Sequence, residues 1–263
     1  MRLIDLDRQH ESLFCVCLED WSDEVKEGEA LKKDWYSQMK KRGLRVKLAV
    51  DENGQVGGMI QYAPVEYAPA KGNDSFFIYC IWVHGHKKGR GNFQNKGMGK
   101  ALLKAAEQDA QSKGAQAMIA WGLSLPFWMK ASWFLKQGYV KTDQDGSRVL
   151  VWKPFTADAV APKWVRQVKK PAAGAHPAKV TVTSFVNGFC PAQNMVAERA
   201  KRAAAEIGEK AVFQQIHTLD RDVFLAWGIS DALYIEDKAV NTGPPPSYKK
   251  ILKMIRKQAK SKN

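Results

Sequence analysis

The sequence predicts an α/β (more closely α+β) protein of two domains, and three observations carry that prediction. Over residues 1–155, strand-like apolar runs are interleaved with amphipathic helical segments. From 156 to 178, Ala, Pro and basic residues replace that pattern, as in Lys170-Pro171-Ala172-Ala173-Gly174-Ala175-His176-Pro177. This composition reads as a linker stiffened by its prolines. A second, shorter series of strands and helices then fills 179–263. A chain of 263 residues, 45% of them hydrophobic, exceeds the usual single-domain size and is rich enough for two packed cores.

In the first domain, 2–7 reads as a short strand, 9–21 and 28–42 as helices, and 45–51 as a strand turning at Glu52-Asn53-Gly54. Two more apolar strands follow over 55–64 and 75–84. The run Phe76-Phe77-Ile78-Tyr79-Cys80-Ile81-Trp82-Val83 is aromatic and β-branched enough to be central. A helix over 97–114 puts Met98, Leu102, Ala106 and Ala110 on one face and Lys100, Lys104 and Gln111 on the other. Residues 117–123 read as a strand, 126–137 as a helix closed by Gly138, and 139–142 with 148–152 as a closing strand pair.

Composition narrows the function classes. No run approaches the ~20 apolar residues of a membrane helix, and charges stand in residues 1–30 where a signal peptide is apolar, so a cytoplasmic protein is expected. Cys15, Cys17, Cys80 and Cys190 form no CxxC or Cys/His zinc spacing, so neither a disulfide framework nor a metal site is implied. The formal net charge is +14. Residues 1–155 hold 23 Lys+Arg against 18 Asp+Glu, and 156–263 hold 18 against 9. No nucleic-acid motif accompanies this excess, which reads as solvated linker and helix faces.

The chemistry-bearing segment is the central strand followed by Gln94-Asn95-Lys96-Gly97-Met98-Gly99-Lys100. Gly97 and Gly99 let backbone amides approach a ligand where a helix begins, so free N–H groups and the helix dipole converge on an anion site suited to a pyrophosphate. Gln94-x-x-Gly97-x-Gly99 resembles the acetyl-CoA signature [QR]-x-x-G-x-[GA] of the GNAT N-acetyltransferases, whose fold has a mixed central sheet. Ala131-Ser132-Trp133-Phe134-Leu135-Lys136-Gln137-Gly138-Tyr139 looks like that family's second landmark.

The resemblance covers residues 1 to about 155. It implies acetyl-CoA as co-substrate, a cofactor-binding set of Ile81, Trp82, Val83, Gln94, Asn95, Lys96, Gly97, Met98, Gly99 and Lys100, and direct acetyl transfer to an amine of a small molecule or a protein. A backbone amide near Trp82 or Val83 would stabilise the oxyanion. Phe134 stands where many members carry a proton-donating tyrosine, which leaves Tyr79, Cys80 and Tyr139 as candidate acids. Glu66, His84 and His86 are candidate bases, with Glu66 and His84 ranked first. The loop 85–93, with Lys87, Lys88 and Arg90, is longer than the family's usual one.

In 179–263, strands over 180–185, 212–217, 232–236 and 239–241 alternate with a helix that Phe189-Cys190-Pro191-Ala192-Gln193-Asn194 opens and that runs to Ile207, and with helices over 221–227 and 247–258. This order resembles the thioredoxin fold, with Cys190 at the nucleophile position. Gln193 replaces the second cysteine and the segment 228–232 lacks the usual proline, so disulfide exchange is not expected and a structural or partner-binding role is favoured. The pairing of the two domains looks like the YoaP-like acetyltransferases of bacteria and archaea. Two alternatives remain beside the transferase: a weak or inactive CoA-binding regulatory module, favoured by Phe134, and a monothiol redox protein using Cys190.

Overall fold

A computed structural model of the chain describes residues 1–125, 128–240 and 244–262. They divide into two compact units, one of Met1–Trp21 with Tyr36–Val165, the other of Ser22–Trp35 with Arg166–Asn263. Among the described residues, no helix is long and apolar enough to cross a membrane.

The first unit contains β1 (Arg2–Asp5), α1 (Glu11–Cys15), the last residues of α3 (Glu29–Lys40), β2 (Arg45–Val50), β3 (Val56–Pro64), β4 (Ala70–Lys71) and β5 (Ser75–Val83). It continues through α4 (Met98–Ser112), β6 (Ala117–Leu123), α5 (Ala131–Leu135), β7 (Val140–Asp145), β8 (Arg148–Pro154) and β9 (Lys163–Trp164). Seven strands form one mixed sheet in the order β1-β2-β3-β5-β6-β8-β7, in which only the β5–β6 pair is parallel. β3 is buried over eight of its nine residues because both its faces are covered. α4 lays Leu102, Leu103, Ala106 and Ala110 against the sheet.

Two expected helices are shorter than the periodicity suggests. The helix expected over 9–21 is α1 alone. It closes with Leu18 N–H on the Leu13 carbonyl and Cys17 on that of Phe14, while Cys17 and Leu18 take φ of 50° and 66°. The helix expected over 28–42 begins at Glu29, after the separate turn of α2 (Asp23–Lys26). The helix expected over 126–137 is the single α5, Met129 before it standing at φ 47°; Pro126 lies outside the described residues. The stretch expected as a linker is partly built in: β9 pairs with β4, and Trp164 and Val165 are buried, because the apolar Trp-Val pair within it finds a place on the first unit.

The second unit carries β10 (Val180–Val186), α6 (Pro191–Ile207), β11 (Ala211–His217), α7 (Arg221–Trp227), β12 (Ala232–Ile235), β13 (Lys238–Ala239) and α8 (Tyr248–Lys260). The sheet order is β11-β10-β12-β13, with β10 parallel to β11 and antiparallel to β12. Val180, Val182, Ala200, Ala203, Leu233 and Ile251 build its core. Asn241, within an expected strand, lies outside the described residues.

Residues 22–35 are integral to this unit, although the sequence places them in the first domain. The buried Asn194 amide donates to the carbonyls of Gly28 and Gly188 at 3.2 and 2.9 Å. Arg199, also buried, reaches Glu24 at 2.9 Å, Glu27 at 3.1 Å and the Pro246 carbonyl at 3.2 Å. Gly28 is required here because a Cβ would fall 2.4 Å from the Pro191 oxygen.

Candidate active site

β5 departs from its parallel neighbour halfway along. It pairs with β6 only from Ser75 to Phe77, whereas its pairing with β3 continues to Val83. The register shift opposite Gln61/Tyr62 leaves Tyr79 as an extra residue, and such a bulge bends and twists a strand. Trp121 of β6 spans the opening gap by donating its indole N–H to the Tyr79 carbonyl at 3.0 Å. Beyond that point, among the described residues, the β5 edge has no strand partner.

The open edge has a definite polarity. The His84 amide bonds the Gly57 carbonyl on the β3 side. Backbone groups of alternate residues point to opposite edges, so Val83 and Ile81 turn their N–H and C=O groups away from β3, into the gap.

α4 begins at the same place. Its N-cap, Gly97, takes φ 81°, a left-handed conformation that only glycine adopts cheaply, and supplies no side-chain cap. The first amides of α4 therefore lack helical partners, and no acidic side chain occupies the first turn. With Lys100 in that turn, the helix end is electropositive.

A cavity of about 630 Å³ joins the β5 edge to this helix end. Ile81, Trp82 and Val83 form one wall, and Gln94, Asn95, Gly97, Met98, Gly99 and Lys100 another. Nine of the ten expected cofactor-binding residues are thus brought together. Lys96 lies outside the wall, its ammonium 5.3 Å from the centre of the Phe93 ring. Sequence reasoning missed most of the remaining wall, Phe93, Trp128, Met129, Lys130 and Trp133, while Phe134, expected at the family's tyrosine position, lines it too. The aromatic density of 127–134 was its available signal. Phe134 is buried, edge-on to Trp133 and Tyr139, and offers no proton.

The four expected catalytic residues are not brought to this cavity. Glu66 is exposed on a single 3₁₀ turn, Val65–Tyr67. Tyr79 is buried and donates its hydroxyl to the Tyr67 carbonyl at 2.7 Å, and Cys80 is buried. His84 is fully buried: Nδ1 lies 2.6 Å from the Gly91 carbonyl, and Nε2 accepts from the Trp21 indole at 3.2 Å. Both its ring nitrogens serve the loop, which also seats Gly89 against Trp21 and ties Arg90 to Asp20 at 2.9 Å. Tyr139 is buried as well, and that burial, reinforced by the Glu107 carboxylate, pushes its phenol well above the usual value. His86 alone of the residues weighed as bases is exposed beside the site, its ring centre 6.4 Å from that of Trp82. No group of three or more potential metal ligands occurs among the described residues.

Residues 10–126 match the family model described as the acetyltransferase (GNAT) family. No curated protein matches the sequence. PaiA N-acetyltransferase from Thermoplasma acidophilum, solved in complex with coenzyme A, is 17% identical at a TM-score of 0.43, over 59% of this chain and 100% of its own. Ribosomal-protein-alanine N-acetyltransferase from Brucella melitensis is 16% identical at 0.44, over 59% and 100%. A GNAT family N-acetyltransferase from Escherichia coli, in complex with CoA, is 11% identical at 0.45, over 62% and 88%. The residues matched to the family model lie within the mixed-sheet α/β unit.

Proposed function

We propose that the protein is an acetyl-CoA-dependent N-acetyltransferase that transfers the acetyl group directly to an amine of a small molecule or a protein. One observation carries this reading: a single cavity joins an uncapped helix N-terminus to an unpaired strand edge. The co-substrate needs both features, a cradle for pyrophosphate and amides for a pantetheine arm that pairs as a strand would.

Amides of Met98, Gly99 and Lys100 hold the pyrophosphate, with the Lys100 ammonium adding charge. Ile81 and Val83 hydrogen-bond the pantetheine amides and set the thioester beside Trp82. The Val83 or Ile81 N–H, which the strand aims into the gap, stabilises the oxyanion as the amine nitrogen bonds to the carbonyl carbon. The C–S bond then breaks and the sulfur leaves as thiolate. Positioning two bound reactants supplies most of the advantage, so no covalent enzyme intermediate is required.

The chain is divided in this reading into a transferase domain over 1–155, a linker over 156–178 and a thioredoxin-like domain over 179–263, the arrangement of YoaP-like acetyltransferases. The order β11-β10-β12-β13, with β10 and β11 parallel and α6 between them in sequence, supports the second assignment. Cys190 caps α6 and Gln193 stands where a resolving thiol would be, which favours a structural or partner-binding role over redox turnover.

Calorimetric titration with acetyl-CoA tests the proposal. Saturable one-site binding, followed by CoA release when amines are added, is expected. Absence of binding by the intact protein overturns it.

A further inference from the structure

We propose that Glu19, with the rings of Trp21, Trp82 and His86, forms a subsite for the acceptor amine in its ammonium form, and that Glu19 takes the proton that frees the nitrogen for attack. The inference rests on the transferase reading and adds to it the charge of the acceptor and the group that deprotonates it.

The cavity wall itself offers no proton acceptor of this kind, since it contains Lys100 and Lys130 and no carboxylate. Trp82 links it to one that does. Its indole N–H donates to Glu19 Oε1 at 3.1 Å. A Cβ placed at Gly58 would meet both Leu102 of α4 and Val83, so Val83 faces α4. Strand alternation sends Trp82 to the opposite face. Glu19 therefore lies across β5 from the cationic helix end, and the two ends of the reaction site carry opposite charge.

Among the described residues, the second carboxylate oxygen lacks a donor. Glu19 Oε2 is 3.5 Å from His84 Nε2. That nitrogen already accepts from the Trp21 indole, and the close approach of Nδ1 to the Gly91 carbonyl places the ring proton on Nδ1. In this tautomer Nε2 carries no proton to donate to Glu19. An ammonium N–H supplies the missing donor. Arg90 does not, because Asp20 and the Val56 carbonyl occupy it.

The rings complete the subsite. The centre of the His86 ring lies 6.0 Å from that of Trp21 and 6.4 Å from that of Trp82. Trp21 is 42% exposed, unusual for an indole that packs in a core, and an indole face with an adjacent carboxylate is suited to an organic cation. In the reaction, R–NH₃⁺ gives one proton to the Glu19 carboxylate. The freed electron pair forms the C–N bond, the C–S pair leaves on sulfur, the second N–H proton neutralises the thiolate, and Glu19 returns its proton to solvent.

The test uses ¹⁵N-tryptophan-labelled full-length protein with CoA, titrated with n-butylammonium chloride and, separately, n-butanol. Saturable shifts of the Trp21 and Trp82 indole resonances with the cation, and none with the alcohol, are expected. Glu19→Gln keeps an oxygen for the Trp82 indole; it should weaken n-butylammonium binding at least tenfold while CoA affinity stays unchanged. Trp21→Phe, which keeps a ring, should bind within about threefold of the parent, and Trp21→Leu about tenfold more weakly. Unmoved indoles, or equal binding by parent and Glu19→Gln, would overturn the subsite. If CoA does not bind, the transferase reading falls, and the same titration of the CoA-free protein still decides whether the ammonium site exists.

Discussion

Replacing Gly97 and Gly99 one at a time with alanine separates the two reasons a glycine can stand at a helix start. At Gly97, a Cβ meets nothing within 4 Å, so space is no obstacle, but φ is 81°. Holding an L-residue there costs about 1–2 kcal/mol. At Gly99, the backbone is helical and a Cβ lies 3.4 Å from Trp133 Cζ2 and 3.8 Å from Val83 Cγ2, close to ordinary contact. Alanine there gains up to ~1 kcal/mol from reduced backbone entropy. The two variants should therefore differ by about 1–3 kcal/mol in unfolding free energy, read from urea midpoints at equal m-values. Gly99→Val then adds bulk where the first-turn amides face the cavity. It should lower acetyl-CoA affinity at least tenfold, about 1.4 kcal/mol, with stability little changed. Equal costs at the two positions, or full affinity in Gly99→Val, would refute the account of this helix end.

Gly57→Ala would place a Cβ 2.4 Å from Phe93 Cγ, forcing a buried cavity-wall ring to move. A loss of about 1–3 kcal/mol on urea unfolding and weaker acetyl-CoA binding are expected. Arg199→Ala removes a buried guanidinium from Glu24, Glu27 and the Pro246 carbonyl; with the carboxylates partly solvated, a loss of about 1–3 kcal/mol is expected, together with faster amide exchange in 22–35. Glu236 accepts from the amides of Gly174 and Thr181 and from Lys262. Burial alone would raise its pKa, but these donors outweigh it and hold the carboxyl below its usual 4.5. Its contribution is therefore complete above about pH 4.5 and fades as pH falls through the lower folded value. Glu236→Gln should cost about 1–3 kcal/mol at pH 7, and the difference from the parent should shrink in titrations below pH 4.5.

Most strands were legible because their burial leaves a period-two or continuous apolar trace. The bounds of β6 and α7 match the expected ranges, and those of β3, β5 and α4 differ by one or two residues. Helices were less legible where a short backbone reversal interrupts an apolar run. Cys17 and Leu18 adopt positive φ, although neither residue type signals it, and Leu13 to Leu18 reads as one continuous face. The membership of 22–35 was not legible at all. It depends on an amide and a guanidinium more than 160 residues away, Asn194 and Arg199, and no local pattern encodes such a pairing.

The site divides along the same line. Its anion-binding half was readable because glycine spacing at a helix start constrains the backbone, and a backbone site depends little on what lies elsewhere. Its proton-handling half depends on which side chains the fold leaves partnered. His84 has the right residue type beside the right strand, yet Gly91 and Trp21 occupy both ring nitrogens, so it fixes the loop instead of facing the cavity. Glu19 sits in an unremarkable acidic pair after α1, and only the fold sets it against Trp82 with one oxygen undonated.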